Sequence, residues 1–275
     1  MEIPVCLTTG SKPLMKLFLQ FAALAVALVA TPALTLAQTD EIQVYDGAIA
    51  EPGTLNLTWH NNFTPRGQTE PAFPGGLVNN RNYNGVTEWA WGVTNWFEAG
   101  LYLPLYSISN ARGPTINGGK IRLLFARPHA DDRTFVYAVN FEFSYNSRHW
   151  DEQRYTSEIR PIIGWHLKPV DIFLNPILDN SYRGGFKSLD FAPASRVAYN
   201  FSKNWAVAVE EYADMGPLRG FYPTSEQSHQ LYGVFDHSSK LGDLEVGVGF
   251  GLKSASDQLT VKVILSRDLY TRKKN

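Results

Sequence analysis

The stretch Phe135-Val136-Tyr137-Ala138-Val139-Asn140-Phe141-Glu142-Phe143-Ser144-Tyr145 decides the fold. Every odd position is aromatic or β-branched, and the even positions hold Val, Ala, Asn, Glu and Ser. Side chains of a strand point alternately to opposite faces, so a period of two marks a strand with one apolar face. The pattern recurs in both directions. Leu55, Leu57, Trp59 and Phe63 are interleaved with Asn56, Thr58, His60 and Asn62. Leu244, Val246, Val248, Phe250 and Leu252 are interleaved with Glu245, Gly247, Gly249 and Gly251, and Leu259, Val261, Val263 and Leu265 with Thr260, Lys262, Ile264 and Ser266.

This reading places twelve strands, at 54–63, 86–93, 97–106, 119–127, 134–145, 155–166, 170–179, 189–200, 205–214, 229–236, 244–252 and 259–270. Most have the ~9–11 residues that a tilted strand needs to cross a bilayer. The expected connections alternate in length. Those at 64–85, 107–118, 146–154, 180–188, 215–228 and 253–258 are the longer set, and those at 94–96, 128–133, 167–169, 201–204 and 237–243 the shorter. An up-and-down barrel in an outer membrane has short periplasmic turns and longer outer loops, and an even strand number leaves both termini in the periplasm.

The wider sequence agrees. The chain has 275 residues, 44% hydrophobic and only 19% charged, with 25 Lys and Arg against 26 Asp and Glu. That balance offers nothing to a phosphate backbone, so nucleic acid is not an expected partner. Leu17 to Ala30 form an apolar run behind Lys12 and Lys16, and Thr35-Leu36-Ala37 supplies a small-residue cleavage site. Residues 1–37 are therefore expected to be a removed signal peptide, with Met1 or Met15 as the start, and 38–275 the outer-membrane β-barrel. Removal takes away the one cysteine, Cys6, and with it any disulfide or thiol chemistry.

One row of the strands is aliphatic and aromatic. The other carries Glu88, Glu98, Lys120, Arg122, Glu142, Glu158, Arg160, Asp171, Asp190, Arg196, Glu210, Glu245 and Lys262. A soluble sandwich would turn the charged row to bulk water, whereas a membrane barrel turns it to the lumen. Tyr45, Trp59, Trp89, Trp91, Trp96, Trp150, Trp165, Tyr199 and Trp205 fall mostly near strand ends, the headgroup level of a bilayer. The fold class expected is thus all-β, a transmembrane up-and-down antiparallel barrel of about twelve strands. Its location is the outer membrane of a Gram-negative-type bacterium, with that membrane's lipid as a partner. Pro104, Pro161, Pro176 and Pro193 fall inside strands, where proline cannot donate to the ladder; each needs a bulge or a widened register, and the last three predict an irregular wall.

Glu88-Trp89-Ala90-Trp91-Gly92-Val93-Thr94-Asn95-Trp96-Phe97-Glu98-Ala99-Gly100-Leu101 resembles a hairpin of the family named for the meta-pathway of phenol degradation, with Trp91 where that family usually has Tyr. Tyr199 to Trp205 followed by Glu210-Glu211-Tyr212 resembles a second copy of the same turn, and Ser254-Ala255-Ser256-Asp257 before the last strand also fits. The resemblance spans most of residues 41–270. It implies an outer-membrane barrel of a kind often labelled a transporter.

The expected function is a passive channel for small solutes, hydrophobic or aromatic ones included. Its lumen-lining candidates are Glu98, Lys120, Arg122, Glu142, Glu158, Arg160, Arg196, Glu210, Glu245 and Lys262. Glu142, Glu158 and Arg160, on neighbouring strands, are expected to pair across the wall. The alternative is a structural or surface-interaction barrel whose lumen is plugged. Gly247, Gly249 and Gly251 form a bare inward stripe, which either relieves crowding or leaves a groove for a plug, and loop 64–85 is long enough to fold inward. No enzyme is expected: the sequence has no HExxH and no G-x-S-x-G elbow, and His60, His129, His149, His166, His229 and His237 read as rim residues on loops and turns. No cofactor or metal is expected, and no nucleotide-binding loop is present to couple energy to transport.

Overall fold

The computed structural model describes residues 41–183 and 189–272. The expected signal, residues 1–37 with Cys6, lies outside the described residues. The strands are β1 (Thr54–Arg66), β2 (Asn82–Gly92), β3 (Phe97–Ser109), β4 (Gly113–Ala126), β5 (Phe135–Asn146), β6 (Tyr155–His166), β7 (Val170–Asn175), β8 (Leu178–Asn180), β9 (Leu189–Phe191), β10 (Ala194–Ser202), β11 (Trp205–Asp214), β12 (Ser228–Ser239), β13 (Gly242–Gly251) and β14 (Leu259–Thr271). All pairings are antiparallel, and β1 joins β14 with Trp59 opposite Leu265, which closes the ring. β7 and β8 pair in turn with β6, and β9 and β10 pair with β8 and β7, so each couple is one interrupted wall strand. The wall is a closed twelve-stranded antiparallel barrel.

The prolines explain the interruptions. Pro104 sits where the registers of β3 with β2 and with β4 both shift, a bulge that leaves Tyr102 and Leu105 both buried inward. The other three do not shift the register at all. β6 pairs Ile163 with Leu174 on one side of the gap and Ile159 with Leu178 on the other, in one continuous register. Pro161 therefore lies opposite Pro176. By the same argument from Ala194 with Asn175 and Leu178 with Phe191, Pro176 lies opposite Pro193. Three prolines stand in one row across three adjacent wall strands.

One expected loop is corrected. Residues 107–118 do not form a long connection: β3 runs to Ser109 and β4 starts at Gly113, leaving a tight turn in which Gly113 has φ +69. Ser107 pairs with Thr115 and Ile108 with Pro114, so the period of two continues through a segment whose glycines and proline had read as a loop. The first loop also shortens, to 67–81, because β2 begins at Asn82. A single 3-10 turn, Ala130–Asp132, lies in the connection between β4 and β5.

The apolar row faces outward. Val197, Val207, Val209, Leu231, Val248, Phe250 and Leu265 are exposed side by side around the barrel. A band this continuous suits hydrocarbon and not water. Aromatic residues edge it. Trp96, Phe97 and Phe125 cluster near the turn end, as do Phe135 with Trp165 and Trp205 with Phe235. Tyr83 with Tyr106 and Tyr145 with Tyr155 stand towards the loop end. Two aromatics depart from the expected headgroup position. Trp150 is buried under the loops with Leu77, Val86, Tyr102 and Leu105. Tyr45 is buried inside the barrel, because the chain ahead of β1 turns back into the lumen.

An arginine in place of the outward Val209 is expected to destabilise the barrel in lipid vesicles by about 2–4 kcal/mol, and the same change at Leu241, in a turn, by roughly 0–1 kcal/mol. Urea unfolding of the two variants checks this, and equal costs would remove the lipid-facing assignment.

Candidate functional site

The chain before β1 runs through the lumen. At the turn end, Gly92 has no side chain, and a Cβ there would lie 2.3 Å from the Glu51 carbonyl and 2.4 Å from that of Ala50. That gap lets residues 50–51 cross β2. Ala50 N–H then donates to Glu98 (2.6 Å). Gly47, at φ +82, turns the chain against Val136, Ala138 and Ile162. Tyr45 is held by both ends of one amide: its N–H donates to Asn175 Oδ1 (2.7 Å), and Asn175 Nδ2 donates to its carbonyl (2.9 Å). The Tyr45 hydroxyl is 2.5 Å from that of Tyr102 and donates to Glu142 (3.4 Å). Further along, Arg160 donates to Gln43 O (3.2 Å) and Lys262 to Ile42 O (3.1 Å).

The short segment has three apolar anchors, the alternating Ile42 and Val44 and the adjacent Tyr45. Ile42 packs with Ala198, Ala208, Tyr232 and Val234. Val44 packs with Phe173, Ile177 and Ala194, and Tyr45 with Leu124 and Ile162. The bare glycine stripe serves these sockets. A Cβ on Gly249 would meet the Tyr232 ring at 2.2 Å, and one on Gly247 would meet Lys262 at 2.8 Å, so two places of the stripe are filled by side chains that touch the segment, while Gly251 makes room for Ser256 and Asp257.

All ten lumen-lining candidates point inward, in four networks. Arg122 bridges Glu88 (2.8 Å) and Glu98, and Glu88 also meets His60 Nε2 (3.1 Å). Lys120 pairs with Glu142 (3.3 Å). Arg160 grips Glu158 through two nitrogens (2.6 and 3.0 Å) and reaches Glu41 (3.3 Å). On the far wall, Lys262 sits between Glu210 and Glu245, both at 2.5 Å, and Arg196 binds Glu210, Asp236 and Glu245. The expected pairing among Glu142, Glu158 and Arg160 takes a different form. Glu142 stands opposite Glu158 across the β5–β6 ladder, and two carboxylates side by side repel, so each turns to a cation of its own.

The charges of the wall thus neutralise largely within the wall. From the threaded segment they take one carboxylate, Glu41, two backbone carbonyls, the Ala50 N–H and Tyr45 hydroxyl donated to Glu98 and Glu142, and the Tyr45 ring beneath Arg160 and Arg122. A buried cation that loses its carboxylates is costly, and each of these wall cations has at least one wall carboxylate apart from the segment.

Sequence reasoning missed residues 41–50 as a lumen occupant, and with them Asn175 and Tyr102. The available signal was Ile42 and Val44, two alternating apolar residues too few to form a wall strand. His60 corrects the rim assignment: it is fully buried in the lumen beside Glu88, at 0% exposure, because its even-numbered place in β1 faces inward. His149 and His229 do sit in or beside loops, where His149 meets Ser147 and Asn117, and His229 meets Glu211 and Gln227. Loop 67–81 folds over the outer mouth, with Leu77 buried on Val86, Tyr102 and Leu105, and Gln68 and Asn79 bonded to Asp257. Among the described residues no group of three His, Cys, Asp or Glu side chains is placed to hold a metal ion.

No protein-family model matches the chain, and no curated protein matches it. Solved structures do. A KdgM porin in complex with disordered oligogalacturonate superposes with TM-score 0.51 at 9% identity, covering 78% of this chain and 99% of that one. The translocator domain of the autotransporter NalP from Neisseria meningitidis gives 0.41 at 10% identity, covering 90% and 96%. A bacterial polysaccharide outer membrane secretin gives 0.40 at 10% identity, covering 80% and 100%. The first of these likenesses shows a shared barrel fold.

Arg122→Met leaves Glu88 and Glu98 buried without their cation and is expected to cost about 3–5 kcal/mol. Arg183→Met breaks an exposed pair with Glu152 and is expected to cost roughly 0–1 kcal/mol. Unfolding midpoints of both variants in the same detergent check the contrast, and a silent Arg122 variant would show that the lumen is open to water at that site.

Proposed function

We propose that this protein is a passive channel of the outer membrane of a Gram-negative-type bacterium, stoppered by its own residues 41–51, and that it is not an enzyme. The observation that carries the reading is the threaded segment itself. It is a short stretch of chain held by three small apolar sockets and a few hydrogen bonds, inside a wall whose ions already satisfy one another. With the segment withdrawn, the lumen keeps a paired ionic lining and gains Tyr232, Phe173, Ile177, Ile162 and Leu124 as apolar steps. Charged pairs hold water and orient solutes, while the sockets that receive Ile42, Val44 and Tyr45 take apolar or aromatic groups. Small hydrophobic or aromatic molecules are therefore the solute class. Passage is diffusive.

The alternative, a structural barrel that stays plugged, draws on the same segment, and one experiment separates the two. Deletion of residues 41–51 is expected to raise single-channel conductance in planar bilayers well above that of the full chain. A disulfide between Val44→Cys and Ala194→Cys, which share one socket in the lumen, is expected to abolish openings until it is reduced. A deletion variant that folds, migrates as a heat-modifiable barrel and conducts no ions would overturn the channel and leave the structural barrel.

A further inference from the structure

The row Pro161, Pro176 and Pro193 interrupts the wall in a particular way. Along β6, Arg160, Ile162 and Gly164 are buried inward and Ile159, Pro161 and Ile163 are not, so Pro161 points outward. Residues directly opposite in an antiparallel pair share a face, so Pro176 and Pro193 point outward with it. The three rings lie mid-strand, flanked by Ile159, Ile163, Leu174 and Leu178, in the part of the wall that meets hydrocarbon. The β6 ladder stops at Ile163 with Leu174, resumes at Ile159 with Leu178, and skips residues 160–162 opposite 175–177. Neither proline at the centre of that gap can donate a hydrogen bond.

The other flanks are better tied. Ala192 N–H donates to Ile177 O (3.1 Å) and Ala213 N–H to Pro193 O (3.0 Å). The weak line is therefore the one between β6 and the β7–β8 junction. Unmade backbone bonds in hydrocarbon are expensive, and natural barrels close their ladders for that reason. A gap kept in register, with hydrophobic rings on its outer face, is a specific feature of this wall.

What covers the gap from inside is the threaded segment. Val44 packs on Ile177, Phe173 and Ala194, and Tyr45 packs on Ile162. Asn175, the wall residue just before Pro176, spends both ends of its amide on the Tyr45 backbone. The stopper of the lumen and the inner cover of the gap are the same two residues.

We propose that the seam between β6 and the β7–β8 junction is a lateral portal, through which uncharged aromatic or aliphatic molecules pass between the lumen and the hydrocarbon of the bilayer. The proposal rests on the channel reading above and adds an exit for the apolar class of solute. An ion must traverse the full axis, because the seam opens on lipid. A molecule held at Phe173, Ile162 and Ile177 needs only the width of the skipped rungs.

The test uses the full chain in a Cys6→Ser background, expressed in the outer membrane of a Gram-negative host, with Pro161→Cys and Pro176→Cys introduced opposite each other. N-phenyl-1-naphthylamine, an uncharged aromatic that fluoresces on entering hydrocarbon and is held back by a lipopolysaccharide leaflet, is the probe. With the disulfide formed, probe uptake is expected to fall to the level of cells lacking the protein, and on reduction to rise only to the level of the alanine variant below, because cysteine restores the same two backbone donors. Ion conductance of the purified protein in planar bilayers is expected to be the same in both states. A second variant, Pro161→Ala with Pro176→Ala, restores the two missing donors without a cross-link and is expected to slow uptake in the same direction. Unchanged uptake in the fully cross-linked protein, or in the alanine variant, overturns the portal while leaving the channel intact if conductance is present. Absence of conductance with uptake still sensitive to the cross-link overturns the axial channel and leaves the portal.

Discussion

A strand that crosses hydrocarbon has no water to satisfy its backbone, so every N–H and C=O must find a partner in a neighbouring strand. The rest of this structure depends on that constraint. It forces β1 onto β14, because an open sheet would leave two bare edges in lipid. Once the ring closes, the alternation of side chains has one consistent meaning: the row with Val209, Val248 and Leu265 faces lipid, and the row with Glu88, Arg122 and Lys262 is enclosed. The constraint also gives the prolines their significance. In a soluble sheet, Pro161 or Pro176 could lie harmlessly on an edge strand. In a closed barrel no edge exists, so the lost rungs appear as a defect in the wall.

Enclosing thirteen charged positions creates a second problem, which the wall solves locally. Buried ions cost several kcal/mol each unless they are paired and hydrogen-bonded. Each cation here has at least one carboxylate on its own or a nearby strand. Arg122 takes Glu88 and Glu98, Arg160 takes Glu158, and Lys262 and Arg196 share Glu210 and Glu245. The threaded segment adds to these pairs without replacing them. Its backbone carbonyls accept from Arg160 and Lys262, and those cations have wall carboxylates without it.

The wall was legible in the sequence because its signal is redundant: five or six alternating pairs in Phe135–Tyr145 repeat one message, and neighbouring strands repeat it again. The charged residues were legible as inward-facing for the same reason, since position along a strand sets the face. What escaped was information held between strands. Glu142, Glu158 and Arg160 read as one paired group, yet register alone decides that the two carboxylates stand side by side and need separate cations. The alignment of Pro161, Pro176 and Pro193 is likewise a property of register, invisible in spacings of 15 and 17 residues until the ladders fix which residue faces which. The hairpin at 107–118 was hidden by Gly113, Pro114, Gly118 and Gly119, which interrupt an alternation that the backbone continues. Residues 41–50 were hidden because a segment bonded to side chains carries no ladder signature.

The segment is held in the lumen by three apolar anchors, Ile42, Val44 and Tyr45, and by hydrogen bonds such as those to Asn175 and Glu98. The segment is also covalently joined to β1 at Thr54, which keeps its local concentration in the lumen high. A solute that takes the Phe173–Ile177 socket competes with Val44 directly. Val44 and Tyr45 also cover the proline gap, so the same competition that clears the lumen uncovers the wall. On the channel and portal proposals, occupancy of one small apolar socket would thereby couple the axial path to the lateral one.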